Sequence, residues 1–477
     1  MAKNNGQPGA TGRRGFAGRP ASGAACELQA ALRPNAARAW LYASVFWLIV
    51  GTALGVILAA KMAFPQFLAH YGWLQFGRLR AAHVNIVLYG WLSLSVIAII
   101  FYMTQDLTRT PIYSTRLSAI AFVLWNLALV LAGAGFLVGS IGGYSLSKGK
   151  EFMEMNWAST VIVLAAMALV AINLFQTVAR RAESQLYVTM WYFLGSVLWL
   201  PLVWIVGNAP VYSGVNDAIS NWFLGHNIIG LWFTTAGVGM MYFIVPKTTR
   251  NPLYSHKLSL VGFWTIALVY PWVGAHHILR GPIPDWLQTI AIIFSIMMFI
   301  PVWTVITNFF KTMSGKWGVM AQSVPLKFAV FAIWAYFFTC IQGPLQALRT
   351  VNQYVHLTNW TVGHAHLALF ATFSFMSWSV IYYMFERVTG RRLSHGALAH
   401  WHFWMGAIGF TGFFLDLTIA GLIQGAIWTL GLPFMTGVNA MYPYMVVRLA
   451  FGIAMFAAQI FFLVNVLTAK RVEAVTA

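Results

Sequence analysis

Long apolar runs, separated by short polar segments that contain Gly, Pro and basic residues, dominate this sequence. Twelve runs reach the roughly 20 residues that a helix needs to cross a membrane. They lie near residues 39–64, 81–104, 117–139, 157–179, 186–208, 219–245, 257–280, 286–310, 326–349, 361–384, 398–424 and 442–468. The alternating pattern of a membrane barrel is not found in the sequence. The pattern predicts an all-α fold, a polytopic membrane bundle of about twelve transmembrane helices.

Composition and charge support a membrane protein. The 477 residues are 60% hydrophobic and 8% charged, whereas a soluble domain is roughly 25% charged. If the N-terminus is cytoplasmic, 21 of the 29 Lys and Arg residues lie on the cytoplasmic side, so the positive-inside rule places both termini there. Topology and anionic lipid then account for the net charge of +19 without nucleic acid. Residues 1–37 are expected to form a mobile cytoplasmic tail, followed by one transmembrane domain over residues 38–477.

Six histidines inside predicted helices form a candidate set, because an imidazole without a partner there costs about 1–3 kcal/mol. They are His83, His226, His276, His277, His364 and His366. The predicted topology places all six in the outer third of the membrane, on four helices. This agreement in depth favours metal or haem ligation over isolated structural hydrogen bonds.

The spacing within each histidine pair limits what the pair can bind. His364 and His366 point about 200° apart on one helix and can serve two different centres. His276 and His277 point about 100° apart, so both reach one metal only near a helix end or with a local distortion.

The remaining two histidines complete two kinds of site. His226 would join the pair in the seventh helix to make a three-imidazole site with an open position. The spacing leaves Cu, Zn, Fe and Ni open at that site. His83 and one histidine of the tenth helix could ligate a low-spin haem from both faces, and the other would hold a second haem from one side.

Local sequences around these histidines resemble the catalytic subunit of the haem–copper oxidases, in particular the C-family of cbb-type cytochrome c oxidases. The matching stretches are Phe76-Gly-Arg-Leu-Arg80, Gly225-His-Asn227, Val245-Pro-Lys247, Ala275-His-His277, Pro284-Asp-Trp286, Gly343-Pro344, Asn359-Trp-Thr-Val-Gly-His-Ala-His366, His402-Phe-Trp404 and Gln424-Gly-Ala-Ile-Trp428. They extend from the second helix to the eleventh, with the histidine set as the specific part.

The resemblance implies a role for each histidine. His83 and His366 would be the axial ligands of a low-spin haem b, His364 the proximal ligand of a high-spin haem b, and His226, His276 and His277 the copper ligands. Tyr270 matches the active-site tyrosine that the family links covalently to a copper-ligating histidine. The family's proton path is matched by Tyr242, Ser259 and Tyr336.

Arginines at the outer helix ends are candidates for pairing with haem propionates. Arg78, Arg80, Arg349 and Arg448 lie at the expected depth, and Arg binds carboxylates bidentately. Ordinary anchoring at the membrane interface is an equal alternative for any one of them. His356 matches a family histidine near the propionates.

Two positions depart from the expected pattern. Gln342 stands where the cbb-type family has a glutamate, so it carries neither a proton nor a charge. Asp416 is the one acid of ten that lies well inside a predicted helix, which makes it a functional candidate, although a structural hydrogen bond is as good an explanation.

These features predict a terminal oxidase of the bacterial inner membrane that reduces O2 to water and takes up protons from the cytoplasm. Because the chain has no Cys-x-x-Cys-His motif for c-type haem, membrane-anchored c-type cytochrome subunits are expected as electron donors. The alternatives are a nitric oxide reductase with non-haem iron in place of copper and, less well supported by the clustered histidines, a proton-coupled transporter.

Overall fold

The structure, a computed structural model, describes residues 35–393 and 396–472. Among these residues, twelve helices are long and apolar enough to cross a membrane, which confirms the predicted fold class. In chain order, spans 1 to 12 are Ala36–Ala63, Phe76–Thr108, Thr115–Val138, Trp157–Ala179, Val188–Asn208, Val215–Thr249, His256–Ile278, Asp285–Thr312, Val324–Ala347, Asn359–Thr389, Gly396–Thr429 and Phe434–Leu467. Most of the tail predicted over residues 1–37 lies outside the described residues.

Short elements connect some of the spans. They are the 3₁₀ helices Gly72–Leu74 and Trp317–Ala321, the α-helix Arg349–Val355, and the two-stranded antiparallel pairs Ser140–Ile141 with Tyr144–Ser145 and Arg391–Arg392 with Lys470–Arg471. The second pair joins the loop before span 11 to the segment after span 12. All lie outside the spans, where the bundle needs only short connections.

Three spans form the centre of the bundle. In spans 2, 6 and 10, between 83% and 94% of the most apolar stretch is buried, compared with 33% to 56% in the other nine. The outer spans therefore present apolar faces to their surroundings, as a membrane protein must. Spans 2, 6 and 10 carry four of the six candidate ligand histidines, which places these imidazoles in the interior of the bundle.

Each central span widens into a π-helical segment directly after its histidines. These segments are Ile86–Leu92, Ile228–Thr234 and Leu367–Ser374. In each, a hydroxyl donates to the carbonyl five residues earlier: Ser93 to Leu88 at 2.8 Å, Thr234 to Ile229 at 2.9 Å and Thr372 to Leu367 at 3.0 Å. The hydroxyls satisfy carbonyl groups that an α-helix would pair differently, and π turns of this kind are frequent at functional sites.

The widened segments are also tied to one another. The indole nitrogen of Trp91 in span 2 donates to Ser374 Oγ in span 10 at 2.9 Å, and that of Trp232 in span 6 donates to Ser93 Oγ in span 2 at 3.1 Å. These buried hydrogen bonds fix the relative positions of the three central spans about two turns from their histidines.

Span 7 departs from a regular α-helix before its outer end. The α-helix His256–Val269 gives way to 3₁₀ turns at Tyr270–Trp272 and Gly274–Ile278. Pro271 contributes to the change because it has no N–H for the helical ladder. The local distortion that the adjacent His276 and His277 require is therefore present.

Span 11 packs closely against the backbone of two segments, the beginning of span 10 and the short helix Arg349–Val355 before it. A Cβ atom at Gly421 would collide with the backbone of Trp360, and one at Gly425 would collide with the carbonyl group of Tyr354. Small residues allow this close approach of membrane helices. The contact fixes Trp360, whose ring stacks on His364 with 5.5 Å between ring centroids.

Lys148, in the loop between spans 3 and 4, is a cation with an unusual environment. Its Nζ donates to Thr160 Oγ1 at 2.7 Å and to Asn208 Oδ1 at 2.5 Å, and it lies 4.5 Å from the centroid of the Trp157 ring. Burial, with a smaller contribution from the charge of Lys150, lowers the pKa of Lys148 to about 7.

This burial predicts a pH-dependent stability. An unfolded lysine stays protonated up to about pH 10.4, so above pH 7 the unfolded state binds more protons and the folded state gains stability as pH rises. The thermal midpoint of the wild type should therefore increase between pH 7 and 9 relative to that of Lys148→Met in the same detergent. The exposed Lys316, changed to Met, is the control and should give a profile parallel to the wild type; a parallel profile for Lys148→Met would contradict the prediction.

Candidate haem and metal site

One cavity in the interior of the bundle collects the predicted ligands. Its lining includes His83, His226, His276, His277, His364, His366 and Tyr270. The structure thus brings together all six predicted ligand histidines, from spans 2, 6, 7 and 10. We refer to this space as the central cavity.

Three imidazoles form a compact group at one end of the central cavity. His226, His276 and His277 each offer a ring nitrogen, and these nitrogens lie within 4.8 Å of one another. His226 Nδ1 and His276 Nε2 are buried and have no hydrogen-bond partner among the described residues. Bare nitrogens that converge on one point fit a single metal ion with bonds of about 2.0–2.1 Å, the range known for zinc and imidazole.

The orientation of His276 comes from span 8. Its Nδ1 lies 2.8 Å from Ser295 Oγ, and that hydroxyl donates its own proton to the Ala291 carbonyl at 2.6 Å. Ser295 Oγ therefore accepts from His276 Nδ1–H, and Nε2 is left unprotonated for a metal. A hydrogen bond behind the ligand is the usual way to fix an imidazole tautomer.

His277 is held by a ring stack and through its backbone. Its ring lies parallel to that of Trp222, with 4.2 Å between centroids. The carbonyl of His277 accepts a hydrogen bond from His356 Nε2 at 2.9 Å. Burial lowers the pKa of His356 below its usual value, which keeps this imidazole neutral. His356 is thus hydrogen-bonded to the backbone of one of the candidate metal ligands.

His83 and His366 face each other across the other part of the central cavity. Their ring centroids lie 6.5 Å apart and their planes differ by 18°. Nδ1 of His83 donates to the Gly51 carbonyl and Nδ1 of His366 to the Val362 carbonyl, each at 2.8 Å. The separation suits one iron between two Nε2 atoms, with bonds of about 2 Å.

His364 points to the opposite side of the same helix, as its two-residue offset from His366 predicts. Its Nδ1 lies 3.1 Å from Gln342 Oε1. An amide oxygen only accepts hydrogen bonds, so His364 Nδ1 carries the proton and Nε2 is free. Gln342 therefore occupies the position behind this ligand as a neutral acceptor.

Tyr270 lies beside the three-imidazole group. Its ring centroid is 4.7 Å from that of His226, and the planes differ by 31°. Gly230, one turn after His226, makes room for it, because a Cβ atom there would overlap the Tyr270 ring. The absence of a side chain at Gly230 thus allows the Tyr270 ring to lie beside His226.

The three predicted proton-path residues are buried, and a fourth buried hydroxyl residue that the sequence did not suggest contacts two of them. Tyr192 OH donates to the Ser259 carbonyl at 3.4 Å, and its ring is 5.6 Å from that of Tyr242. Tyr336 lines the central cavity with Tyr270. Tyr192 therefore contacts both Ser259 and Tyr242.

The candidate propionate partners have different environments. Arg448 and Arg80 line the central cavity. Arg80 also forms ion pairs with Glu151 and, at 3.4 Å, with Glu154.

The two other arginines have partners away from the cavity. Arg78 donates to the Leu137 carbonyl at 2.8 Å, next to a separate surface pocket. Arg349 lies 3.8 Å from Asp285 at the surface. Neither belongs to the residues that line the central cavity.

Comparison with known proteins identifies the class. Residues 35–454 match the family Cytochrome C and Quinol oxidase polypeptide I. The chain is 31% identical over 435 residues to the Cbb3-type cytochrome c oxidase subunit CcoN1 of Stutzerimonas stutzeri, covering 87% of this chain and 90% of that protein. It is 31% identical over 407 residues to cytochrome c oxidase subunit 1 of Rhodobacter capsulatus, covering 82% and 75%.

A solved structure is similar in fold. It is the cryo-EM structure of a heme-copper terminal oxidase dimer, with a TM-score of 0.75 and 14% identity, covering 94% of this chain and 86% of that one. The chain belongs to the Cytochrome C and Quinol oxidase polypeptide I family. It is the catalytic subunit of a terminal oxidase, a multi-pass membrane enzyme of respiratory electron transport, and the family implies haem and copper as cofactors.

Ser295 gives a direct test of the metal site. Ser295→Ala removes the acceptor behind His276, so the imidazole loses its fixed tautomer, and we expect metal affinity to fall by about 10- to 100-fold. Copper retention can be measured against a competing chelator. Thr265→Val, which removes a hydroxyl bonded only within span 7, is the control. Equal copper retention in Ser295→Ala and the wild type would show that Ser295 does not support the ligand.

Proposed function

We propose that this subunit reduces O2 to water between a high-spin haem b held by His364 and a copper ion held by His226, His276 and His277. Electrons would reach this centre from a low-spin haem b held by His83 and His366. One observation carries the proposal: two separate imidazole sets border one cavity. In the first set, His226 Nδ1 and His276 Nε2 have no hydrogen-bond partner among the described residues. In the second set, His83 and His366 give Nδ1 to backbone carbonyls, which leaves Nε2 for a metal.

The division of the histidines supports two haems and one further metal. His364 and His366 sit on one helix but face apart, so a single helix can serve both haems at a fixed spacing. Haem iron and copper would supply the electrons that O2 accepts. The protein holds the ligands in place through Gln342, Ser295 and backbone carbonyls.

Tyr270 has the position of a proton and electron donor to O2. Its ring lies against that of His226 and borders the central cavity, so the hydroxyl would act next to the metal. Tyr336 and the row formed by Tyr192, Tyr242 and Ser259 would conduct protons from the cytoplasmic side to Tyr270. Burial of these hydroxyl groups supports a path through the protein rather than along its surface.

The surroundings of the subunit follow from the same proposal. Both termini would be cytoplasmic, with residues 1–37 as a tail, in a bacterial inner membrane. Membrane-anchored c-type cytochromes would deliver electrons to the low-spin haem. Arg80, Arg448 and His356 are proposed to bind or support the propionates, while Arg78 has backbone carbonyl partners instead.

Nitric oxide reduction is less well supported. An iron site in that class adds carboxylates near the metal, whereas the candidate metal-binding group among the described residues consists of three histidines. Imidazole ligands without a carboxylate suit copper.

The test uses the purified complex. We expect a pyridine haemochrome assay to give two haems b per subunit, and metal analysis to give one copper with no iron beyond the haem. O2 consumption should exceed nitric oxide consumption. A subunit without haem would overturn the proposal, and extra iron with preferential nitric oxide consumption would favour the reductase.

Tyr270→Phe separates the chemistry from cofactor binding. The variant removes only the hydroxyl, so both haems and copper should remain bound, while O2 turnover should fall by at least 100-fold, within the range of lost general acid–base catalysis. Optical spectra and oxygen electrode rates measure the two effects. Tyr71→Phe, at an exposed outer tyrosine, is the matched control, and wild-type turnover in Tyr270→Phe would remove Tyr270 from the mechanism.

A further inference from the structure

Asp416 is an acid in the interior of span 11 for which the oxidase chemistry has no assigned use. Other acids in the described spans lie within four residues of a span end, as do Asp106 and Glu386. Asp416 is 7% exposed, and its Oδ2 has no hydrogen-bond partner among the described residues. A buried carboxylate oxygen without a partner is costly in a membrane, which calls for a functional explanation.

The position of Asp416 is close to the proposed low-spin haem site. Phe413, three residues earlier on the same helix face, has its ring centroid 4.9 Å from that of His366. The next residue, Leu417, packs against Gly363 of span 10, three residues before His366. Asp416 therefore lies at about the depth of His366.

Arg448 of span 12 connects Asp416 with the cavity. Its guanidinium carbon lies 5.7 Å from the centroid of the Phe413 ring, which itself contacts His366, and its charge acts on Asp416, His83 and His366. Its Nε is buried without a hydrogen-bond partner among the described residues, and its Nη1 lies 3.1 Å from Met62 Sδ. The guanidinium thus has donor capacity left for a carboxylate, and it borders the central cavity on its other side.

Few other charges act on Asp416. The titratable groups on the elements packed against span 11 include His364 and His366 of span 10. The helix Arg349–Val355 carries Arg349, which is paired with Asp285. Span 9 carries Tyr336 and Cys340, which interact with Tyr270. Arg448 is the charged residue that acts on Asp416. In a medium of low dielectric constant, charges several ångströms apart interact strongly, so an electron added near His366 changes the proton affinity of this carboxylate.

We propose that Asp416 is a protonatable site coupled through Arg448 to the redox state of the low-spin haem. The inference rests on the proposed function of His83 and His366. The Asp416 carboxylate would take up one proton from the aqueous phase when an electron arrives at the low-spin haem from its donor, and it would release that proton when the electron leaves. The net charge at the site then stays constant, which lowers the electrostatic free energy of adding the electron there.

The test is a redox titration of the low-spin haem in the intact complex between pH 5.5 and 9. One proton per electron changes the redox equilibrium up to tenfold per pH unit, about 59 mV, so the wild-type potential should fall with pH. In Asp416→Asn the potential should be higher, because a negative charge is lost, and its dependence on pH should be at least halved. Asp285→Asn, at a carboxylate 94% exposed to solvent, is the matched control and should follow the wild type.

Infrared difference spectra of the reduced and oxidised complex give an independent measurement. A carboxylic acid band should appear on reduction, shift in Asp416→Glu and persist in Asp285→Asn. No such band in the wild type, or an unchanged pH slope in Asp416→Asn with the haem bound, overturns the proposal. A wild-type complex without a low-spin haem signal would instead overturn the proposed function.

Discussion

A histidine inside a membrane must have both ring nitrogens accounted for, and this requirement organises the interior of the bundle. His83 and His366 give one nitrogen to a backbone carbonyl, His276 to Ser295 and His364 to Gln342. Each partner fixes the tautomer, so the second nitrogen is free on the cavity side. The protein thus prepares the ligands before any cofactor binds, and the cost of the free nitrogens is recovered only when metal is present.

The partners behind the ligands depend on helix packing. The Gly51 carbonyl belongs to span 1, Ser295 to span 8 and Gln342 to span 9, so outer spans position ligands that other spans carry. Glycines at helix contacts, such as Gly421 against Trp360, hold the backbones close enough for these bonds. The positions of the ligands are therefore a property of the whole bundle, although few residues touch the cavity.

The sequence predicted the twelve spans and the convergence of the six histidines because hydropathy and helical periodicity are local properties. It also predicted that His276 and His277 need a distorted helix. It did not predict Ser295, Trp222 or Tyr192 as neighbours of the site, because these residues look like ordinary packing residues until distant spans meet. Arg78 shows the same limit: depth along a helix can be read from sequence, but the direction of a long side chain depends on what lies beside it.

The widened turns of spans 2, 6 and 10 have a consequence for how these helices can vary in length. Each turn accommodates one residue more than an α-helical turn, so the residues on either side keep nearly the orientation that an uninterrupted α-helix would give them. Deleting a residue after the turn, within the α-helix Ser93–Thr108, would rotate the rest of span 2 by about 100°. The loss of one residue within Ile86–Leu92 is instead absorbed by a return to α-helical geometry, at the expense of the bonds that Trp91 and Ser93 make with spans 10 and 6. The widened turns are therefore the positions at which a central helix can change by one residue without rotating its two halves relative to each other.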